Sequence, residues 1–218
     1  SWGNRVRQFR KLLRAADETP MLRHLRWSAL LDDRSAGVLR APERFAGVLV
    51  EMAERFDRVG DAGDGDFLNR ILAFDLRHGL PGDMLHKVDL ASMAHSLEVR
   101  VPFLDPEVVG LVEACPAAWK IDRGLRKRLL VESYRGIIPD EILDRDKMGF
   151  ELPIGEFLRG ELRALFMDTV TRDRVEALAI LDHGAIMDIY ATHCAGRGEH
   201  ADLLFALLAL CWWQGRAE

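Results

Sequence analysis

The chain has 218 residues, with 30 Lys and Arg against 35 Asp and Glu and a formal charge of −5. Hydrophobic residues make up 49% and charged residues 30%, a globular balance that excludes a disordered tail and provides for one domain or a compact pair. Mild acidity speaks against a nucleic-acid binder, and no apolar run is long enough to cross a bilayer. Ser1-Trp2-Gly3-Asn4-Arg5 has no apolar segment behind its charges, so no secretory signal is expected there. Cys115, Cys194 and Cys211 are odd in number and widely spaced, which argues against a disulfide framework and for a reducing cytoplasm. The expectation is a cytoplasmic globular protein with neither nucleic acid nor membrane among its partners.

The first 40 residues are locally basic, and Arg5, Arg7, Arg10 and Arg14 line one side of a candidate helix. A solvated face is the reading preferred over a phosphate-binding surface. Residues 60–66 run Gly-Asp-Ala-Gly-Asp-Gly-Asp, but counting from Asp61 puts Gly63, Gly65 and Leu72 where calcium ligands would have to stand. This stretch reads as a solvated, flexible linker. Residues 1–79 are taken as a helical N-terminal segment and 80–218 as the helical core.

Period-two alternation between hairpin signals is absent, whereas helical spacing recurs, so the fold class is mainly α. Pro81-Gly82-Asp83 reads as a turn and N-cap ahead of a helix over 84–97. Leu125, Leu129, Leu130, Tyr134 and Ile137 predict another, stopping before Pro139. Ile154, Phe157, Leu158, Leu162, Leu165 and Phe166 form a further stripe, and Asp182 is placed as the N-cap of a helix carrying Ile186, Ile189, Tyr190 and His193. From Ala201 to Trp213 only Asp202 is charged, so that helix is expected to be buried on most sides.

Standard nucleophile, P-loop, dinucleotide and zinc motifs are missing. His193, Cys194 and His200 read as core and boundary residues rather than a metal cluster, and no metal site is expected in this chain. What remains is a string of charges inside apolar segments, where a charge is costly unless it is paired. Lys87 and Asp89 lie within the 84–97 helix, and Glu98 and Arg100 alternate with valines ahead of Pro102. Lys127 stands between Arg126 and Arg128 in the first turn of the next helix, and Lys147 precedes Gly149-Phe150. Each alone reads as a structural ion pair. Together the cations could converge on phosphate oxygens, since helix N-termini and glycine loops favour anions.

Three stretches carry a resemblance. Residues 80–105 read L-P-G-D-M-L-H-K-V-D-L-A-S-M-A-H-S-L-E-V-R-V-P-F-L-D, residues 120–130 K-I-D-R-G-L-R-K-R-L-L, and residues 138–159 I-P-D-E-I-L-D-R-D-K-M-G-F-E-L-P-I-G-E-F-L-R. In this order they resemble the C-terminal part of the synthetase domain of glutamine-dependent asparagine synthetases. Gly196-Arg197 and the apolar helix to Trp213 resemble the usual ending of that family.

The resemblance implies the helical C-terminal half of an α/β ATP-pyrophosphatase (adenine nucleotide α-hydrolase-like) synthetase domain. In that family a carboxylate, aspartate in the namesake enzymes, is activated as its adenylate, and ammonia released from glutamine displaces AMP. The family's S-G-G-x-D-S pyrophosphate loop and its D-E-x-F-G-G segment are not found in this sequence. The missing glutaminase domain and the missing pyrophosphate-loop half are therefore the expected partners, with a small-molecule carboxylate as substrate and a homodimer as a further expectation.

By the same resemblance Lys127 is the catalytic lysine. Arg100 and Lys147 bind ATP or pyrophosphate, and Asp89, Glu98 and Lys87 are supporting ion pairs. ATP and magnesium belong to the complete enzyme; no cofactor is expected on the fragment, which alone is expected to be inactive. Leu90 stands where the family usually has Arg, and Leu125 where it often has Lys. The acceptor is open on that account, because relatives form β-lactams and lasso peptides with the same domain. A helical binding or scaffolding module is the reading from a different class.

Overall fold

Short polar side chains mark where helices begin in the computed structural model, which describes residues 18–31, 35–58, 66–122, 124–145 and 152–216. Thr19 caps α1 (Pro20–Ser28) by accepting the Leu22 N–H, and α2 follows over Glu43–Arg58. Asp66 caps α3 (Phe67–Arg77) with Oδ1. A π-helical turn at Leu80–Leu85 then leads directly into α4 (His86–Met93). The expected cap at Pro81-Gly82-Asp83 is thus corrected: Pro81 opens the π turn, where a missing N–H is tolerated, and the α-helix starts later and stops at Met93. Beyond it come α5 (Pro106–Ala114), capped by Asp105, and the short α6 (Ala117–Lys120).

Strands β1 (Ile121–Asp122) and β2 (Leu125–Arg126) pair antiparallel, Ile121 with Arg126 and Asp122 with Leu125. Gly124, at φ +88°, supplies the left-handed residue that so short a connection needs. The helix expected from Leu125 onward is therefore shorter: α7 spans Arg128–Ser133, and α8 spans Asp140–Leu143. The final elements are α9 (Ile154–Arg159), α10 (Arg163–Thr169), α11 (Arg172–Ala177), α12 (His183–Cys194) and α13 (Ala201–Gln214). The described chain is mainly α, and this hairpin is its one named sheet. Arg5, Arg7, Arg10 and Arg14 of the basic start, and all of the 60–66 loop but Asp66, lie outside the described residues.

The chain divides into two compact units, 1–52 with 149–218, and 53–148. In the first, α9 to α13 enclose a core in which Leu158, Phe166, Val175, Ile186, Leu204 and Cys211 are fully buried. Residues 38–40 are stitched to the turn before α12: Asp182 N–H donates to Val38 O (2.8 Å) and Arg40 N–H to Ile180 O (3.0 Å). Asp182 caps α12 as expected, its Oδ1 accepting from Ala185 N–H at 2.8 Å. The single apolar stripe from Ile154 to Phe166 is broken into α9 and α10 at Gly160, yet both halves still face the core.

Helix α13 is less covered than expected. Leu203, Leu204, Leu207, Leu208 and Cys211 are buried, while Phe205, Trp212 and Trp213 are exposed. An all-round apolar helix needs neighbours on every side, and among the described residues of this unit α13 buries one side only.

Tyr190 of α12 stacks on Phe166 at 4.2 Å between centroids, and its hydroxyl donates to Leu158 O at 2.9 Å. Burial, helped by the hydrogen bond and charge of Cys194 and opposed by Arg163, pushes the phenol up from 10.0 to about 12. An unfolded tyrosine sheds its proton near 10, so between those values the unfolded chain loses a proton that the folded one keeps. Stability should therefore fall as pH rises through that window and be unaffected by this group below it. Urea midpoints taken across the window should show the slope, and Tyr190→Phe should flatten it.

The second unit is built around Phe56, edge-on to Phe74 at 5.7 Å and to Phe67 at 6.1 Å, with the Arg70 guanidinium 4.5 Å above its ring. A polar knot joins α3 to α6. Asp66 Oδ2 accepts the Ala117 N–H (3.1 Å), Asn69 Nδ2 donates to Cys115 O (3.1 Å), and Asn69 Oδ1 accepts from Lys120 Nζ (2.6 Å). Elsewhere the unit shows a broad apolar surface. No residue of α4 is buried, and Leu90, Met93, Leu97, Phe103, Leu111 and Ile137 are each more than half exposed.

Candidate functional site

Lys127 occupies the residue between β2 and α7, one position before the helical turn in which it was expected. Its backbone is left-handed, with φ 56° and ψ 34°. A residue with a β-carbon rarely adopts that conformation unless its surroundings impose it. Both flanks do. Arg126 is held by its pairing with Ile121, and the Lys127 carbonyl accepts the Val131 N–H at 2.9 Å. The side chain is exposed and makes no ion pair among the described residues. Arg128 turns the other way, its Nη1 donating to Ala118 O (3.0 Å) and to Asp122 Oδ2 (3.1 Å).

Glu98 and Arg100 pair with each other on the extended stretch after α4, both largely exposed. Arg100 borders an apolar cleft of about 290 Å³ lined by Leu80, Leu85, Val101, Pro102, Phe103 and Leu104. Lys127 is not among the residues lining it. Lys87 Nζ lies 3.9 Å from Asp83 Oδ1, one turn back, rather than on Asp89, and Asp89 is exposed on α4. Such an exposed pair contributes little to stability, at most about 1 kcal/mol. Lys147 lies outside the described residues.

Two groups escaped the sequence reading. Lys120 is buried against Asn69, and desolvation lowers its pKa, against the opposing charges of Cys115, Asp66 and Glu113. Arg128 closes the junction next to Lys127, though the sequence shows only three consecutive cations. The signal was available in Asp122: with Gly124 turning the chain back, residues on either side of that turn come within reach.

Of the cluster His193, Cys194 and His200, His193 is a core residue, His200 is half-buried and Cys194 is exposed. His193 is fully buried, its Nε2 3.0 Å from Gly155 O and 3.3 Å from Arg159 Nη1, and its Nδ1 3.4 Å from the His200 amide nitrogen and 3.6 Å from Glu199 Oε1. Among the described residues no three His, Cys, Asp or Glu side chains gather as metal ligands, and no helix is long and apolar enough to cross a membrane. All three cysteines are free.

The elements thus define a mainly α module that holds one exposed lysine at a fixed, left-handed junction and leaves a broad apolar surface beside it in sequence. The asparagine synthase family profile matches residues 2–215, nearly the whole chain, which belongs to that family. Asparagine synthetase 1 (glutamine-hydrolyzing) of Bacillus subtilis is 30% identical over 146 residues, covering 67% of this chain and 23% of its own length. A relative from Mycobacterium bovis is 38% identical over 149 residues, 68% of this chain and 22% of its own length. Amidase chry2 of Gibberella zeae is 29% identical over 106 residues, 46% of this chain and 16% of its own. The chain therefore spans less than a quarter of the length of the curated relatives it matches. No solved structure matches it.

Proposed function

We propose that this chain supplies the helical C-terminal part of an ATP-pyrophosphatase-type synthetase domain, acting within an amidotransferase ligase. In the proposed reaction a carboxylate oxygen of aspartate attacks the α-phosphorus of ATP and pyrophosphate leaves. Ammonia derived from glutamine then attacks the acyl carbon, and AMP leaves with its bonding electron pair. The observation that carries the reading is the exposed Lys127 ammonium on a backbone held left-handed from both sides. A cation whose backbone is set in advance can reach charge that develops on phosphoryl and pyrophosphate oxygens with little reorganisation of the chain as it forms. Arg100, tied to Glu98 beside the apolar cleft, is assigned to nucleotide binding, as is Lys147.

Magnesium is expected to accompany ATP in the complete enzyme. The described residues offer no cluster of three ligands, so they do not by themselves fit the ion, and no step here runs through it. The exposed apolar side chains of the second unit, Leu90, Met93, Leu97, Phe103, Leu111 and Ile137 among them, are assigned to contact with the pyrophosphate-loop half, because exposed apolar surface of a folded domain is buried at its interfaces.

ATP–pyrophosphate exchange by a longer protein containing this chain tests the reading, with aspartate expected to drive it. Exchange with no carboxylate at all would sink the proposal. Leu90, exposed on α4 where the family usually carries Arg, supports a second reading in which the acceptor is a different carboxylate and the nucleophile an internal amine. Aspartate would then fail, and an amine-bearing carboxylate would support product formation without glutamine.

A further inference from the structure

We propose that Arg128 is a positioning residue: by binding Ala118 O and Asp122 Oδ2 at once, it locks the left-handed backbone of Lys127 and so sets the direction in which that side chain leaves the chain. The catalytic half of this inference rests on the role proposed for Lys127 above; the conformational half does not.

The argument starts from the cost of the conformation. A lone non-glycine residue at φ 56° relaxes unless both neighbouring segments are held. On the N-terminal side the hold is a two-residue ladder, Ile121 with Arg126 and Asp122 with Leu125, too short to be stable by itself. On the C-terminal side α7 has only six residues, below the length at which a helix persists alone. The hairpin and α7 thus need a tie between them. Arg128 is the first residue of α7, and its Nη1 reaches back to the carbonyl of Ala118 in α6 and to the carboxylate of Asp122 in β1.

That one group joins three elements around residue 127. The start of this frame is anchored in turn, since Lys120, the last residue of α6, is buried on Asn69 of α3. If Arg128 lets go, α7 is free to rotate about residue 127, which can relax to the right-handed region. The Cα–Cβ bond would then leave along a different direction.

Two measurements separate the two halves. In this chain, the φ of residue 127 can be read by NMR from its HN–Hα coupling and its Cα and Cβ shifts. It should be left-handed in the wild type, averaged in Arg128→Met and largely restored in Arg128→Lys, which keeps a cation within reach of Asp122. In the longer synthetase, Arg128→Met should slow carboxylate-dependent pyrophosphate exchange about 10²-fold, the scale of a small misplacement of a reacting group. KM for ATP should change much less.

In a Lys127→Ala background the same substitution should add almost nothing, because its effect passes through Lys127; a merely structural loss would multiply instead. An unchanged coupling at residue 127 in Arg128→Met, or multiplicative losses in the double variant, overturns the proposal. Should Arg128→Met fail to fold, Asp122→Asn, which spares the Ala118 bond, is read the same way. Wild-type exchange in Lys127→Ala would remove the chemical role of Lys127, and the clamp would then stand or fall on the coupling alone.

Discussion

Lys127→Ala, made in a complete synthetase containing this chain, is expected to lower the rate of adenylate formation roughly 10²–10³-fold, the scale of losing one transition-state donor. Single-turnover pyrophosphate release measures it. ATP binding should weaken far less, because in the proposed reaction the ammonium meets most of the charge only once the phosphoryl group is in transfer. Glutaminase activity should survive if, as proposed, a separate domain releases the ammonia. The contrast with the neighbouring cations is the discriminating part. Arg126 is exposed within β2, and its substitution by Ala should leave the rate within a few-fold of wild type. Wild-type turnover in Lys127→Ala, with Arg126→Ala the more damaging, would make Lys127 one more solvated cation.

How much of this could be read beforehand differs between the two units. In the first, apolar spacing and caps carried most of the information. Asp182 begins α12 by capping Ala185, and Phe166, Ile186 and Tyr190 fall on the buried sides that their spacing assigned to them. His193 was legible as a core residue because its neighbours in the helix are apolar. What spacing could not show is that residues 35–40, more than a hundred positions upstream, complete this unit through Val38 and Arg40. Local patterns hold no record of such a return. The break at Gly160 was equally hidden, since the stripe keeps its phase across it.

In the second unit the same tools did less. A two-residue strand cannot show alternation, so the hairpin at Ile121–Arg126 left only Gly124 as its trace. Extending the following helix over Leu125 was the natural error. Pro81 misleads in a different way: Pro81-Gly82-Asp83 reads as a turn and N-cap, while the chain runs through it as the start of a π turn. The spacing read over 84–97 tells nothing about what would cover its apolar residues, and none of the residues of α4 is buried. For the site, Glu98 with Arg100 was foreseeable from their alternation with valines. The left-handed conformation of Lys127 was not, because a single φ depends on ties made by Arg128 and by the ladder, not on the identity of the residue itself.

Phe166→Ala is expected to destabilise the first unit by about 3–5 kcal/mol, the range for deleting a buried aromatic side chain. Its ring has no exposed surface and lies parallel to Tyr190, with an interplanar angle of 11°. Truncation would open a cavity bounded by elements that are themselves pinned. Tyr190 is held by its hydroxyl on Leu158 O, and α12 is fixed at its start by Asp182, so neither can collapse inward cheaply. The loss should therefore lie toward the upper end, a large share of a typical domain stability of about 5–15 kcal/mol. Phe205→Ala, on the exposed side of α13, is the matched control and should shift stability by less than about 1 kcal/mol. Amide exchange in α12, measured against urea, reads the unit directly. Equal shifts in the two variants would mean that the Phe166–Tyr190 layer does not hold the core together.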